Sequence, residues 1–284
     1  MELLEKSTLY VVATPLGNLA DMSPRALAVL KQVDWIAAED TRHSQKLLTH
    51  FGITNRLISL HNYNEQARVE MLQSGLARGE VGALISDAGT PLISDPGYHL
   101  VNQLRQAGLQ VRPIPGPSAL IAALSVSGIA TDRFYFEGFL PAKSAKRLAR
   151  LIELSVQQAT MVFYEAPHRL LACLADLRVA MGDERLVCVA REMTKQYEEF
   201  PQGTLAQLEG YFIQHPDKVR GELVIVVAGS QALAIDDQAW QSLVQAMLEQ
   251  QVSVKTVAEV VSAHYQVAKK TVYQWAQACK NEMH

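Results

Sequence analysis

The sequence predicts an α/β protein with a mostly parallel N-terminal sheet, a mixed C-terminal sheet and a helical C-terminal tail. Short apolar segments alternate with helix-like segments over residues 1–127, which is typical of a parallel sheet covered by helices on both faces. Beyond that point the spacing from Val187 to Phe200 is short enough for a hairpin, and after residue 230 strand-like segments cease. We therefore expect α/β domains at residues 1–127 and 128–230 and a helical appendage at 231–284.

The N-terminal elements follow from local pattern. Ser23 and Pro24 supply a cap and a first helical residue, Gly52 suits a helix end, and Asn64 is a possible cap. Strands are predicted at Leu9–Ala13, Trp35–Ala38, Leu57–Leu60, Val81–Ile85 and around Val111. Helices are predicted after Ser23 and at Ser44–Phe51, Asn64–Arg78, Tyr98–Ala107 and Ser118–Val126.

The second half shows the same kinds of signal in a different order. Strands are predicted at Phe134–Phe136, Met161–Tyr164, Leu186–Val189, Tyr197–Phe200 and Leu223–Ala228. Helices are predicted between them at Ala145–Gln157, His168–Met181 and Leu205–Phe212. The tail is predicted to hold helices at Asp236–Gln250, Val254–Tyr265 and Lys269–Ala278.

Three loops rich in proline and glycine indicate where a ligand binds. The most informative runs from Ser86 to Gly97, directly after an apolar strand, and holds two prolines, two glycines and two aspartates. Similar loops occur at Thr14–Asn18 and Pro113–Ala119, each at the carboxyl end of a strand. A single loop of this kind is usually only a turn that connects two elements. Three at equivalent strand ends predict a site on one rim of the sheet, where open α/β sheets bind ligands.

Four further strand ends carry clusters of polar residues. One such cluster alone would be a helix cap with solvated charges. Four from two predicted domains indicate the two walls of an interdomain cleft, which is a favoured place for a small-molecule site. The clusters are Ala37–His43, His61–Glu65, Phe163–Arg169 and Ala190–Lys195.

Composition excludes several classes of protein. The formal net charge of the 284 residues is −3, so no overall basic field indicates nucleic acid. Cys173, Cys188 and Cys279 are scattered without metal-ligand spacing and fit buried thiols in a reducing compartment. Residues 1–6 have no apolar signal core and no stretch has the length of a membrane span. We expect a cytosolic protein with no membrane partner and no bound metal.

Familiar nucleotide and hydrolase motifs are missing from the sequence. It contains no G-x-G-x-x-G after the first strand, no G-x-x-x-x-G-K-[ST] and no G-x-S-x-G. The loops offer carbonyls, hydroxyls and carboxylates in place of arrays of N–H groups. Such groups suit a ligand with an adenosine diol and a positive centre better than they suit a polyphosphate.

Six blocks of the chain match, in order, those of one enzyme family. The longest is Leu84–Gly97. The others are Thr14–Leu19, Ala38–Arg42, Pro115–Ala119, Glu137–Pro141 and Ala190–Glu192. With these blocks the chain resembles the ribosomal RNA small subunit methyltransferase I family, which belongs to the tetrapyrrole-methylase-like (class III) S-adenosylmethionine methyltransferases. The resemblance spans about residues 8–229.

The resemblance implies a fold, a reaction and a set of donor-binding residues. The family has two α/β domains with S-adenosylmethionine in the cleft, forms homodimers, and methylates the ribose 2′-oxygen of a cytidine in the decoding region of 16S ribosomal RNA. Carried over to this chain, the donor site involves first-domain residues and the ends of second-domain strands. The residues are Pro15, Asp87, Ala88, Gly89, Thr90, Ser118, Phe163, Ala190 and Glu222.

Methyl transfer to a ribose hydroxyl requires that oxygen, methyl carbon and sulfur are aligned and that the hydroxyl proton is removed. A base or a nearby cation that favours the alkoxide should accelerate the reaction. For each candidate a structural role as a cap or in an ion pair is equally plausible, so the prediction is the cluster and not one member. The base candidates are Glu39, Asp40, His61 and Glu192, and the cations are Arg42, Arg191 and Lys195.

A basic run next to the predicted cleft is a candidate RNA contact. Lys143, Lys146, Arg147 and Arg150 place four cations in eight positions with no acid between them. A solvated helix face is the ordinary interpretation of such a run. The alternative is a contact to RNA phosphates, either of free small-subunit ribosomal RNA or of an assembled subunit, supported by a second copy of the chain.

Two other functions fit the same fold. The first is a small-molecule methylase acting on a tetrapyrrole, which would need a large apolar acceptor pocket. The second is a module that binds S-adenosylmethionine without catalysis. Fold alone does not separate these from an RNA methyltransferase.

Overall fold

A computed structural model describes residues 4–61, 64–230, 237–265 and 267–282. Residues 1–228 form one compact unit and residues 229–284 a second. Both sheets lie in the first unit, and the domain boundary expected at residue 128 stays a prediction. No helix among the described residues is long and apolar enough to cross a membrane.

The first sheet is parallel throughout, where the sequence predicts a mostly parallel sheet. Its order is β3-β2-β4-β1-β5, and every neighbouring pair runs parallel. All five strands therefore end at the same edge. The strands are β1 (Thr8–Val12), β2 (Trp35–Ala38), β3 (Arg56–Ser59), β4 (Gly82–Ile85) and β5 (Gln110–Ile114).

Helices cover the first sheet on both faces, where two separate apolar cores form. Trp35 and Ile36 illustrate the alternation of a buried strand, because the first belongs to one core and the second to the other. These helices are α1 (Pro24–Gln32), α2 (Thr41–His50), α3 (Glu65–Ala77) and α4 (Tyr98–Gln106). The next helix, α5 (Ala119–Val126), packs against the second sheet through Leu120, Ala123 and Leu124.

The starts of α2 and α3 differ from the sequence prediction for identifiable reasons. Helix α2 begins three residues early because the Asp40 carboxylate accepts hydrogen bonds from the amides of Arg42 (2.8 Å) and His43 (3.4 Å). Asn64 precedes α3 but does not cap it: its Oδ1 accepts from the His61 amide at 2.8 Å, which ties the end of β3 to the helix. Asn62 and Tyr63, part of one predicted polar cluster, lie outside the described residues.

The second sheet is mixed, as predicted. Its order is β6-β7-β10-β8-β9, with only β6 and β7 parallel. The strands are β6 (Phe134–Phe139), β7 (Thr160–Glu165), β8 (Leu186–Arg191), β9 (Gln202–Thr204) and β10 (Leu223–Val227). The helices are α6 (Ser144–Leu154), α7 (Leu170–Met181) and α8 (Leu205–Gln214).

The strand predicted at Tyr197–Phe200 lies elsewhere. Strand β8 pairs with Gln202–Thr204, and of the predicted segment Glu199 forms an isolated bridge to Arg191. Thr204 ends the strand because it forms a capping box with Gln207 at the start of α8.

The C-terminal unit consists of helices, as predicted. They are α9 (Asp237–Glu249), α10 (Val254–Tyr265) and α11 (Lys269–Glu282). Trp240, Val244, Val257, Val261 and Val272 pack together in their common core. Asp236, the predicted first residue of α9, lies outside the described residues.

Candidate active site

A cavity of about 420 Å³, here called the first cavity, is lined from both sheets. Loops after β1, β2, β4 and β5 form one wall, and the ends of β6, β7, β8 and β10 with their loops form the other. The first wall includes Leu16, Glu39, Asp87, Asp95 and Ser118. The second includes Phe139, Tyr164, Met193, Gly221 and Glu222.

The three loops rich in proline and glycine meet at this cavity and are joined by hydrogen bonds. The backbones of Thr14 and Gly89 exchange two bonds of 2.9 Å, and the Thr14 hydroxyl donates to the Ser86 carbonyl at 3.1 Å. The Thr90 hydroxyl donates to the Pro117 carbonyl at 3.0 Å. These bonds make one continuous rim from three strand ends.

The loop from Ser86 to Gly97 holds an unusual backbone conformation. Gly89 and Gly97 have φ of +81° and +123°, and Leu92 and Ser94 have φ of +73° and +69°. Non-glycine residues rarely adopt positive φ, and such strain is concentrated at functional sites. A Cβ added to Gly89 would lie 3.2 Å from Leu16 Cδ2, so a side chain there would crowd the neighbouring loop.

Three carboxylates line the first cavity from its first-sheet wall. Burial raises the pKa of Asp95 to about 6; a hydrogen bond from Ser86 opposes that rise and the charge of Asp87 adds to it. Burial also raises the pKa of Glu39, and the charges of Asp95, Asp87 and Asp40 act in the same direction. The Asp87 carboxylate accepts a hydrogen bond from the Asp40 amide at 3.2 Å. The cavity is therefore electronegative.

Sequence reasoning missed Asp95 as a site residue. It belongs to the matching block Leu84–Gly97, from which the resemblance implies only Asp87 to Thr90 as donor-binding residues. The available signal was a second aspartate in the same rigid loop, held between Ser94 and Pro96.

Several predicted catalytic residues have structural roles. Asp40 caps α2. The hydrogen bond from the Arg42 amide, followed by that from the His43 amide and by the electrostatic effect of the two side chains, lowers the pKa of Asp40. The Arg42 side chain is 92% exposed and lies 3.7 Å from Asp40. Arg191 is buried and donates to the Tyr197 carbonyl and the Glu199 carboxylate. His61 follows the edge strand β3 and does not line the first cavity.

Glu192 and Lys195 form a cluster with Glu222 at the second wall. Lys195 Nζ lies 3.1 Å from Glu192 Oε1 and 3.3 Å from Glu222 Oε2. Burial opposes ionisation of Lys195, but its two carboxylate partners outweigh burial and raise its pKa. A Cβ on Gly17 would lie 2.6 Å or less from the Lys195 side chain, so glycine lets this lysine rest on the loop after β1.

Most of the predicted donor-binding residues come together. Asp87, Ala88, Gly89, Thr90, Ser118 and Glu222 line the first cavity. Pro15 lines the neighbouring cavity. Phe163 and Ala190 do not line the cavity, and both residues are fully buried. Successive strand residues point to opposite faces, so Tyr164 lines the cavity while its neighbour Phe163 points into the core on the other face. Ala190 lies on the same face as Tyr164 and packs in one core cluster with Met193, which lines the cavity.

Comparison with known proteins identifies the family. The tetrapyrrole (corrin/porphyrin) methylases match residues 8–209. The ribosomal RNA small subunit methyltransferase I of Pasteurella multocida is 47% identical over 94% of this chain and 95% of its own length. The corresponding enzyme of Pseudomonas aeruginosa is 47% identical over 96% of this chain and 98% of its own length. The chain belongs to the ribosomal RNA small subunit methyltransferase I family. The predictions of family and of a methyltransferase are confirmed.

Solved structures agree on the fold. The uroporphyrin-III-C-methyltransferase of Thermus thermophilus has a TM-score of 0.56 and 18% identity, over 78% of this chain and 94% of its own. A diphthine synthase has a TM-score of 0.57 and 13% identity, over 78% of this chain and 89% of its own. At these identities the similarity concerns the fold alone, and it confirms the predicted methylase fold.

The basic run of this methyltransferase divides into two kinds of residue. Arg147 is buried, donates to Asp176 at 2.7 Å and also contacts two carbonyls. Arg150 binds both oxygens of Glu137, at 2.7 and 2.8 Å. Lys143 and Lys146 are exposed and form no ion pair within the described part of the chain. The expectation for Arg147 needs correction, because a guanidinium buried against α7 cannot reach RNA.

We expect Arg147→Ala to lower the free energy of unfolding by about 3 kcal/mol. The substitution leaves Asp176, whose side chain is 15% exposed, with only the Ser144 hydroxyl from α6, and breaking a buried ion pair from one side is costly. Lys146→Ala is the matched control and should change stability by no more than about 0.5 kcal/mol. Urea unfolding followed by circular dichroism measures both, and equal stabilities would contradict the structural role.

Proposed function

We propose that this protein transfers the methyl group of S-adenosylmethionine to the ribose 2′-oxygen of a cytidine in the decoding region of 16S ribosomal RNA. It is a methyltransferase that depends on S-adenosylmethionine. The observation that carries the proposal is the electronegative first cavity at the carboxyl edge of the parallel sheet. The identity of the target nucleotide and of the methylated oxygen follows from the family resemblance.

The residues of the first cavity fit the donor. Its volume of about 420 Å³ lies in the usual range for small-molecule sites. Glu39, Asp87 and Asp95 suit a ligand with a sulfonium and an ammonium group, and Thr90 and Ser118 bring hydroxyls. We assign donor binding to these residues together with Ala88, Gly89 and Glu222. When bound, S-adenosylmethionine supplies an electrophilic methyl group.

The protein's part in the reaction is to align the reactants and to accept a proton. Alignment of oxygen, methyl carbon and sulfur supplies much of the acceleration of such a displacement. The ribose hydroxyl gives up its proton as its oxygen bonds to the methyl carbon and the carbon–sulfur bond breaks. Glu39 is the predicted base candidate that lines the first cavity, and its raised pKa suits a general base.

We expect the affinity for S-adenosylmethionine to fall as the pH drops from 7 to 5. With its pKa raised to about 6, the Asp95 carboxylate is charged above that pH and neutral below it, so its attraction for the sulfonium is lost on acidification. Glu39 contributes in the same direction. Isothermal titration calorimetry of the parent and of Asp95→Asn measures the effect, and the variant should have a flatter pH profile.

The product S-adenosylhomocysteine provides the control for this pH effect. Its sulfur is uncharged, so its affinity should depend less on pH and approach that of the donor under acidic conditions. Identical pH profiles for donor and product would show that the carboxylates do not recognise the sulfonium.

The RNA partner and the second copy are also proposals. Lys143 and Lys146 offer exposed charges for RNA phosphates. Helix α5 has the sequence ALIAALSV, without a charge, yet Ile121 is 52% and Val126 49% exposed. A helix that is apolar on all sides is normally buried. A second copy of the chain would cover it, which supports a homodimer. We place the enzyme in the cytoplasm, where its three cysteines stay reduced.

A methyl-transfer assay tests the proposed function. Tritium from labelled S-adenosylmethionine should enter 16S ribosomal RNA or assembled small subunits and not a precorrin substrate. Transfer to the precorrin would favour a tetrapyrrole methylase. Binding of the donor by calorimetry without transfer to either substrate would favour a non-catalytic module. Sugar and base analysis of the labelled nucleotide then tests the 2′-oxygen of cytidine.

A further inference from the structure

A second cavity of about 630 Å³ adjoins the first. The two cavities share Leu16, Asp87, Ala88 and Glu222 in their linings. The tip of the loop after β4 and the start of β10 therefore border both spaces. A ligand in the second cavity would meet a ligand of the first at this common border.

One face of α2 supplies basic side chains to the second cavity, alongside the Asp87 and Glu222 carboxylates of the common border. His43, Lys46 and His50 all line it, and their spacing of three and four residues puts them on the same side of the helix. All three are exposed, and α2 contains no acidic residue. Lys46 forms no ion pair among the residues described. Lys195 also lines the cavity, but Glu192 and Glu222 already neutralise it.

The two cavities thus differ in the side chains that they present to a ligand. Carboxylates dominate the first, which suits a cationic donor, whereas the α2 face of the second carries a cation and two imidazoles. Lysine and histidine in this arrangement suit phosphodiester oxygens, and phosphate contacts set the register of a nucleic acid without reading its sequence. A transfer reaction also needs the acceptor to approach the methyl group from the side opposite to sulfur.

We propose that the second cavity is the acceptor site, in which Lys46, with His43 and His50, holds RNA phosphates next to the target ribose. This inference rests on the proposed function and deepens it. The target ribose then reaches the methyl group across the border formed by Asp87 and Ala88. The nucleotide must leave its stack to enter the cavity, as RNA recognition at single-stranded elements requires. The basic run at Lys143 and Lys146 would contact RNA farther from the reacting atom.

Lys46→Gln tests the acceptor site, and Lys31→Gln is its matched control. Lys31 is an exposed lysine in the last turn of α1 and lines neither cavity. The KM for small-subunit RNA is measured for both variants and the parent between 50 and 200 mM salt. Removing one phosphate contact should lower the salt slope by about 0.7 to 0.9, so the parent loses roughly threefold more affinity over this range than Lys46→Gln.

The RNA KM at low salt and the affinity for S-adenosylmethionine show whether Lys46 acts on the acceptor or on the donor. Lys46→Gln should raise the RNA KM at 50 mM salt and leave the dissociation constant of S-adenosylmethionine unchanged, and His43→Ala/His50→Ala should act in the same direction. If the parent methylates RNA and Lys46→Gln keeps the KM and salt slope of Lys31→Gln, the acceptor site is wrong. If the parent transfers no methyl group to RNA, the proposed function fails first and the inference fails with it.

Discussion

Replacing Gly89 by valine is expected to weaken S-adenosylmethionine binding by roughly ten- to a hundredfold. Gly89 has φ +81°, a conformation that costs a β-branched residue about 1–3 kcal/mol, and the added Cβ would lie 3.2 Å from Leu16. The strain is relieved only by moving the loop that lines the first cavity, and each 1.4 kcal/mol corresponds to a factor of ten in affinity. Isothermal titration calorimetry measures the loss.

Gly108→Val is the matched control for backbone strain. Gly108 has φ +74° in the turn after α4, and a Cβ there would have nothing within 4 Å. This variant should lose stability through the same unfavourable φ while keeping the parent's affinity for the donor. Equal losses of affinity in both variants would mean that general destabilisation, and not the position of the loop, explains the result.

Asp87→Ala provides an independent test of the same loop. It removes one carboxylate from the first cavity and the acceptor for the Asp40 amide without adding bulk. Donor affinity should fall while the circular dichroism spectrum stays that of the parent. Unchanged affinity in both Gly89→Val and Asp87→Ala would remove this loop from the donor site.

Features of the sequence with a local cause were predictable. The prediction of a strand at Trp35–Ala38 matches β2 at both ends, because a short apolar run between turn signals is typical of a buried strand. Ser23 caps α1 with its hydroxyl 3.1 Å from the Ala26 amide, as its position before Pro24 indicates. The meeting of the three loops also followed from a simple rule, since parallel strands end at one edge.

Features that depend on distant contacts were not predictable. The four cations of the basic run look alike in sequence, but Arg147 faces Asp176 and Arg150 faces Glu137, which belong to other elements. The pKa of Asp95 depends on its burial and on Ser86 and Asp87. These two residues lie near Asp95 only because the loop that joins them adopts a strained conformation. Polar groups at a strand end therefore indicate where a site is, and tertiary contacts decide which of them remain available for chemistry.

Breaking the proposed dimer is expected to reduce RNA methylation by about tenfold or more and to leave donor binding nearly unchanged. Ile121→Lys/Val126→Lys places charges on the uncharged helix α5, whose exposed apolar side chains would otherwise face a second copy. One chain offers few unpaired cations at α6, so the second copy would supply phosphate contacts through its own Lys143 and Lys146 or its helical tail. Losing two such contacts costs about tenfold in affinity at moderate salt.

Sedimentation and circular dichroism must first show that the double variant is monomeric and folded. Val179→Lys is the control, because Val179 is 72% exposed on α7 and its replacement also puts a lysine at an exposed valine, away from α5. This control should remain dimeric and fully active on RNA. A monomeric double variant that methylates RNA as fast as the parent would exclude the second copy from substrate recognition. A double variant that stays dimeric would instead show that α5 is not the interface, since two buried lysines facing their symmetry mates could not be accommodated there.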